Sequence, residues 1–205
     1  MKVFTKGFAK GFAKRSTKLF TEWFTEVFTK GFAKGFTKRS TKKALVKYNL
    51  NAPAQVAFFL SIISVETGNL TFNKNIWPSC PGQGAHSMMM PINLHAFLKD
   101  SPNILTSHPF LCSIAEKPYE DTNDKAKTDV LDVLMQPKYS FEPGAWWIQK
   151  GAEKIQPGFT CFYSTLESKV TVTTLDTLLK SCVDIDPTEA WRQAFETALK
   201  AITIK

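Results

Sequence analysis

Glu66 has the surroundings most suited to chemistry, because it ends a long apolar segment. Residues 53–65 read Pro-Ala-Gln-Val-Ala-Phe-Phe-Leu-Ser-Ile-Ile-Ser-Val and contain no charged side chain. This pattern predicts a helix that is apolar on nearly every side and lies inside a domain. Apolar neighbours and the negative end of the helix dipole both disfavour a carboxylate, so we expect a raised pKa for Glu66. A carboxyl group protonated near neutral pH is suited to general acid catalysis, such as protonation of the leaving oxygen of a glycosidic bond.

A glycine- and methionine-rich segment follows the predicted helix. After Thr67 and Gly68, the chain continues to Pro81-Gly-Gln-Gly-Ala-His-Ser-Met-Met-Met-Pro91. Glycine suits the left-handed turn that ends many helices, so the helix is predicted to stop at Gly68. His86 and three thioethers, without a second histidine nearby, form a poor ligand set for copper. The sequence therefore predicts no metal site.

The run from Val65-Glu66-Thr67-Gly68 to Met88-Met89-Met90-Pro91 resembles the lysozyme-like superfamily, particularly lytic transglycosylases and goose-type lysozymes. The match covers about residues 45–100, and residues 44–205 look similar to secreted fungal proteins with this pattern. The resemblance implies cleavage of β-1,4-linked amino-sugar polymers, peptidoglycan first and chitin second. Glu66 would be the single catalytic acid and base, and neither a metal nor a cofactor is implied.

The same resemblance implies a polysaccharide-binding cleft. Its candidate residues from the motif are Thr67, Gln83, His86, Met88 and Met89. Thr67 stands where the family has serine, and Met89 or Met88 stands where it usually has a cleft glutamine. The altered glutamine position leaves open a catalytically inactive relative that binds glycans or a partner protein, as a secreted effector would.

Aromatic side chains offer flat apolar surfaces for sugar rings. The candidates are Trp77, Tyr139, Trp146 and Trp147. Adjacent tryptophans cannot both point inward from a helix, so one of Trp146 and Trp147 is predicted to face the cleft.

Other helices follow from periodicity and capping signals. Asp186-Pro187-Thr188-Glu189 predicts a helix start, followed by an apolar face of Trp191, Ala194, Phe195, Ala198, Leu199 and Ile202. Weaker patterns predict helices near 94–98, after the capping residue Asp124, and from Leu175 to Cys182. The fold class is therefore mainly α: a lysozyme-like helical domain with a small irregular or β-hairpin segment at 44–205, preceded by a low-complexity repeat arm.

The arm, residues 1–43, repeats every four residues, with phenylalanine at most first positions. A period of four turns the phenylalanine stripe around a helix, so no fixed face stays buried and we expect a flexible segment. The arm carries ten lysines, two arginines and two glutamates, a net charge of +10, whereas residues 44–205 carry −2. An anionic membrane surface is therefore a candidate partner of residues 1–43, and specific nucleic-acid binding is not expected. The alternative interpretation is a repeat expansion without function.

Four widely spaced cysteines, Cys80, Cys112, Cys161 and Cys182, favour disulfides, with the pairing left open and buried free thiols as the alternative. Pairing in sequence order would close loops of a few tens of residues. That pattern and the resemblance suggest an extracellular, monomeric protein. No recognisable signal peptide is seen, since no apolar stretch follows Lys2. The longest apolar run, Val56–Leu60, is too short to cross a bilayer.

Overall fold

The structure is a computed structural model that describes residues 36–75, 80–155 and 172–203. Its α-helices are Phe36–Lys47 (α1), Pro53–Glu66 (α2), Pro91–Lys99 (α3), Pro102–Ser107 (α4), Cys112–Glu116 (α5), Asp124–Leu134 (α6), Glu142–Trp146 (α7), Ala152–Ile155 (α8), Val172–Leu178 (α9) and Glu189–Thr203 (α10). Short 3₁₀ turns occur at Pro109–Leu111 and Tyr119–Asp121, and π-helical turns at Trp147–Gly151 and Leu179–Val183.

The prediction of a mainly α fold is confirmed. In the described ranges, β pairing is limited to isolated bridges that join Lys74 to Gly84 and Gly84 to Met89. None of the helices in these ranges is long and apolar enough to cross a membrane.

The core is built around α2, which begins and ends where the sequence predicts. Pro53 fits the first turn of a helix because that position needs no backbone N–H. Gln55 Oε1 accepts the backbone N–H groups of Asn51 and Ala52 at 2.9 and 3.0 Å. Most α2 side chains are buried, and α10 packs along the helix.

α10 contributes a buried face of Trp191, Phe195, Ala198 and Ile202 to this contact. The helix begins at Glu189, two residues after the predicted first position at Pro187. The Thr188 carbonyl accepts its first backbone hydrogen bonds, from the N–H groups of Trp191 and Arg192. At α6 the predicted cap was also wrong by one residue, because Asn123 Oδ1 accepts the N–H of Ala126 at 2.8 Å.

α1 extends across the predicted boundary between arm and domain. The helix starts at Phe36 and therefore includes the last two repeat units, residues 36–43. Ser40 and Thr41 are buried beside Ala44 and Leu45. The predicted flexible arm outside this helix, residues 1–35, lies outside the described residues.

The chain leaves α2 through a left-handed turn. Gly68, Asn69 and Leu70 have φ of 55°, 56° and 66°. The Thr67 hydroxyl secures this turn, because it donates to the Ile63 carbonyl at 2.6 Å and accepts the Leu70 N–H at 2.7 Å. The turn fixes the position of Glu66, the last residue of the helix.

A tight loop, residues 80–90, then folds back toward the helix end. The backbones of Gly84 and Met89 exchange hydrogen bonds of 3.2 and 2.9 Å. Ala85 and Met88, which have positive φ values, make the turn between them. Gln83 braces the loop: its Nε2 donates to the Met88 carbonyl, and its Oε1 accepts from Asn75.

Candidate ligand-binding cleft

An open cleft of about 210 Å³ lies at the C-terminal end of α2. Five segments converge there: α2, the loop 80–90, α3, the α7 region with its π turn, and the segment after α9. The side chains and backbone that line the cleft belong to Ile62, Glu66, Ser87, Met88, Met89, Met90, Asn93, Gly144, Trp147, Val183 and Ile185. The wall is predominantly apolar with few polar groups, which is the usual composition of a small-molecule site.

Among the described residues that line the cleft, Glu66 is the titratable one. Its side chain is half-buried and has no ion-pair or hydrogen-bond partner within the described ranges. Desolvation raises the pKa of Glu66 above the usual glutamate range. The predicted direction of the shift is therefore present, and its cause is burial.

Two further polar side chains border the cleft. The Ser87 hydroxyl oxygen is buried and has no hydrogen-bond partner among the described residues. Asn93, on α3, is half-buried. Among the described residues, Glu66 and Asn93 are therefore the polar side chains of the cleft that a ligand can contact, because the Ser87 oxygen is buried.

Trp146 and Trp147 point in different directions from consecutive positions. Trp146 is fully buried, and its indole Nε1 donates to Asp100 at 3.0 Å. Trp147 lines the cleft, and its Nε1 donates to the Cys182 carbonyl at 2.7 Å. Since its N–H is already bound, Trp147 offers the cleft the apolar and π surface of its ring.

Both π-helical turns supply cleft residues. Trp147 opens the first π turn and Val183 closes the second. Asp184 then adopts a left-handed conformation with φ of 55°, so that the chain turns before Ile185. π-helical turns are rare and frequently occur at functional sites, which agrees with their placement here.

The structure brings together only some of the predicted site residues. Glu66, Met88, Met89 and Trp147 share the cleft, whereas Thr67 and Gln83 are engaged in the turn and the loop described above. Trp77 lies outside the described residues.

His86 and Tyr139 are not among the residues that line the cleft. The His86 backbone N–H donates to the Ser140 carbonyl at 3.1 Å, and the imidazole stacks on Phe141 with ring centroids 4.3 Å apart. Burial lowers the pKa of His86 to about 4. Tyr139 is buried, with its ring against Lys138.

Sequence reasoning missed several cleft residues. Met90 extends a run whose first two methionines were candidates, so the run itself was a usable signal. Ser87 and Gly144 are linked by close packing, because a Cβ on Gly144 would lie 2.8 Å from Ser87 Cβ. Ile62, Asn93, Val183 and Ile185 carry no sequence signal that separates them from ordinary core or surface positions.

The prediction of disulfides was wrong for two of the four cysteines. Cys80 and Cys112 are both free thiols and partly buried. Cys112 Sγ instead lies 4.0 Å from the Leu105 carbonyl, as a weak donor. Cys161 lies outside the described residues. Within these residues, no group of three His, Cys, Asp or Glu side chains is arranged to hold a metal ion.

Comparison with known proteins gives one distant similarity. The chain is 29% identical over 98 residues to a bifunctional dioxygenase (DOX)-epoxy alcohol synthase (EAS) from Fusarium oxysporum (strain Fo5176). The match covers 48% of this chain and 7% of that protein, so the chain spans a small part of its relative's length. No family model and no solved structure matches the chain.

These findings overturn the predicted resemblance to the lysozyme-like superfamily. The glycan-cleaving enzyme acting on peptidoglycan or chitin was a wrong prediction, as was its inactive lysozyme-like alternative, because the similarity found is to a different kind of protein. The physical reason for the error lies in the motif. An apolar helix that ends in Glu-x-Gly describes a buried helix and its left-handed end, and these features do not specify a sugar site.

Proposed function

We propose that the cleft at the end of α2 binds a small, mainly apolar molecule that carries one polar group. The observation that supports this proposal is the position of Glu66, whose carboxyl has no partner among the described residues, in a wall of methionine, isoleucine, valine and tryptophan side chains. The apolar body of the ligand would contact that wall, and its polar group would contact Glu66.

The size of the cleft limits the ligand. A cavity of about 150 Å³ holds benzene, so a cleft of about 210 Å³ accommodates roughly eight to ten non-hydrogen atoms. Methionine side chains adapt to ligands of different shape because they are unbranched and polarisable. Met88, Met89 and Met90 would let the cleft accept a class of apolar molecules.

The experiment is isothermal titration calorimetry of the full chain with 1-hexanol and, separately, with hexylammonium chloride. These probes share the same apolar chain and differ in their polar group. We expect saturable binding of at least one of them at a single site.

A blocking variant tests whether the site is this cleft. Asn93→Trp places a large side chain in the lining, and Asn103→Trp makes the same change at an exposed position of α4 outside the lining. Binding should be lost in the first variant and kept in the second. If the wild-type chain binds neither probe, or if Asn93→Trp binds as well as the wild type, the proposed function is wrong.

A neutral oxygenated ligand is a second candidate, and the similarity supports it. The matched Fusarium protein is named for an epoxy alcohol, a molecule with neutral oxygen groups. A protonated Glu66 can donate a hydrogen bond to such an oxygen. The 1-hexanol titration represents this class.

A further inference from the structure

The polar groups of the cleft indicate which ligand charge it suits. Glu66 is the acidic residue in the lining, and no lysine, arginine or histidine of the described residues lines the same cleft. A deprotonated Glu66 therefore leaves an uncompensated negative charge against apolar walls. A cationic ligand would supply the missing opposite charge.

Trp147 adds a second feature that suits a cation. Trp147 lines the cleft, and its indole N–H is held by the Cys182 carbonyl at 2.7 Å. Tryptophan is the aromatic side chain that attracts cations most strongly through its π face. The combination of an indole ring and a carboxyl in one cleft favours an organic cation over an anion.

The side chain of Asn93, which also lines the cleft, is compatible with an ammonium group. Its amide oxygen is a hydrogen-bond acceptor, as is the Glu66 carboxylate. An ammonium group carries only donors, so each of these oxygens can serve it. Asp184 is exposed between the lining residues Val183 and Ile185, which adds negative charge near the cleft.

From this arrangement we infer that the ligand's polar group is an organic cation, such as a primary ammonium on an apolar body, held by the Glu66 carboxylate and the Trp147 ring. The inference rests on the proposed function and names the substrate class of the same site.

Among the described residues, no charged group is paired with Glu66, and Arg192 on α10, the helix packed along α2, pairs instead with Asp176 at 2.9 Å. Glu142 on α7 pairs with Lys47, and Lys180 pairs with Asp186 at 2.5 Å. His86, on the loop 80–90, stays neutral above about pH 4 because burial lowers its pKa. Asp184 is acidic and would strengthen the preference for a cation.

The test compares the two calorimetric probes in the wild type and in Glu66→Gln, which keeps the side-chain shape and removes the charge. We expect hexylammonium to bind the wild type at least about tenfold more tightly than 1-hexanol, the effect of one charge-assisted hydrogen bond. Glu66→Gln should weaken hexylammonium by about the same factor and change 1-hexanol by less than about twofold. Glu116→Gln, at the exposed end of α5, is the matched control and should leave both affinities unchanged.

The pH dependence gives an independent readout. A cation binds the deprotonated form of Glu66, so its affinity should rise with pH through the raised pKa and then level off. Affinity for 1-hexanol should not rise in this range. In Glu66→Gln the rise for hexylammonium should disappear.

The outcomes separate this inference from the proposed function. If 1-hexanol binds as tightly as hexylammonium, or if Glu66→Gln leaves hexylammonium unaffected, the cation inference is wrong while the binding site stands. If neither probe binds, the proposed function itself is wrong. Circular dichroism of Glu66→Gln and Glu116→Gln verifies that both variants are folded, and the comparison of probes within one variant does not depend on its stability.

Discussion

Glu66 and Thr67 are adjacent in the chain, yet their side chains have different roles. Thr67 is fully buried and its hydroxyl makes two hydrogen bonds that fix the end of α2. Glu66 makes none within the described ranges and lines the cleft. A carboxyl in such a position costs stability when it is charged, because it is partly desolvated without compensation. A bound ligand that pairs with the carboxylate would offset this cost.

The first residue-scale prediction concerns this cost. The folded-state pKa of Glu66 is raised, so its favourable contribution is present below the unfolded-state pKa and is lost as pH rises through the folded-state pKa. The Glu66→Gln variant has no titratable carboxyl at this position, so it does not lose stability in this way. Without ligand, the variant should therefore become more stable than the wild type as pH increases from about 4 to about 8. Urea denaturation across this range measures the difference, and Glu116→Gln is the control. A stability difference independent of pH would contradict the prediction.

His86 gives a second residue-scale prediction, with the opposite sign. Burial lowers its pKa to about 4, from an ordinary value of 6.5. Its contribution is present above the unfolded-state pKa and is lost as pH falls through the folded-state value. The difference between these two pKa values corresponds to a loss of about 3 kcal/mol of unfolding free energy as the pH falls from above 6.5 to below about 4.

His86→Leu should remove most of this acid sensitivity. Burial also lowers the pKa of His95, so a smaller slope of the same sign should remain in the variant. Guanidinium denaturation at intervals between about pH 7 and pH 4 measures both slopes. Equal slopes for the wild type and His86→Leu would show that His86 does not carry the effect.

Among the elements, α1 is tied to the domain by an ion pair. Lys47, its last residue, binds the carboxylate of Glu142, which is 3% exposed, at the start of α7. This contact joins α1, which contains the final repeat units, to α7, which contributes Gly144 to the cleft lining. Removal of the lysine would leave a buried carboxylate without its partner, a costly arrangement.

We therefore expect Lys47→Met to lower the unfolding free energy by about 2 kcal/mol. This is less than the loss at a fully buried pair because the lysine side chain is 35% exposed. Lys47→Met combined with Glu142→Gln should recover part of the loss. Lys43→Met, at an exposed position of the same helix, should change stability by less than about 0.5 kcal/mol. Urea denaturation of Lys47→Met, Glu142→Gln and their double variant, with Lys43→Met as the control, measures the coupling, and strict additivity would contradict it.

The sequence predicted the elements with strong local signals. α2 has a proline start, a continuous apolar run and a glycine end, and the structure gives it the predicted bounds. The cleft depends on contacts between residues distant in the chain, such as Glu66, Trp147 and Val183, which periodicity does not report. The π turns and the left-handed Asp184 also arise from tertiary packing. The function was mispredicted because a helix-end motif was interpreted as a sugar site.

On the scale of the whole molecule, charge is divided unevenly along the chain. Residues 1–43 carry a net charge of +10 and residues 44–205 carry −2. A cationic segment with regularly spaced phenylalanines can place lysines at lipid phosphates and rings in the interfacial region. An anionic membrane surface therefore remains a candidate partner for the arm, with a repeat expansion without function as the alternative. The cleft ligand and the arm partner would then be recognised by different parts of the chain.

The full chain should bind vesicles that contain phosphatidylserine, bind phosphatidylcholine vesicles weakly, and lose the anionic binding as salt is raised. Replacement of the seven phenylalanines in residues 1–35 by alanine keeps every charge and removes the rings. This variant should retain part of the electrostatic binding but cause less leakage of an entrapped dye, because leakage requires apolar side chains in the interface. Co-sedimentation and dye release measure the two effects separately. Equal leakage by both chains would assign the effect to charge alone, and the absence of binding at low salt would show that the arm has no affinity for an anionic surface.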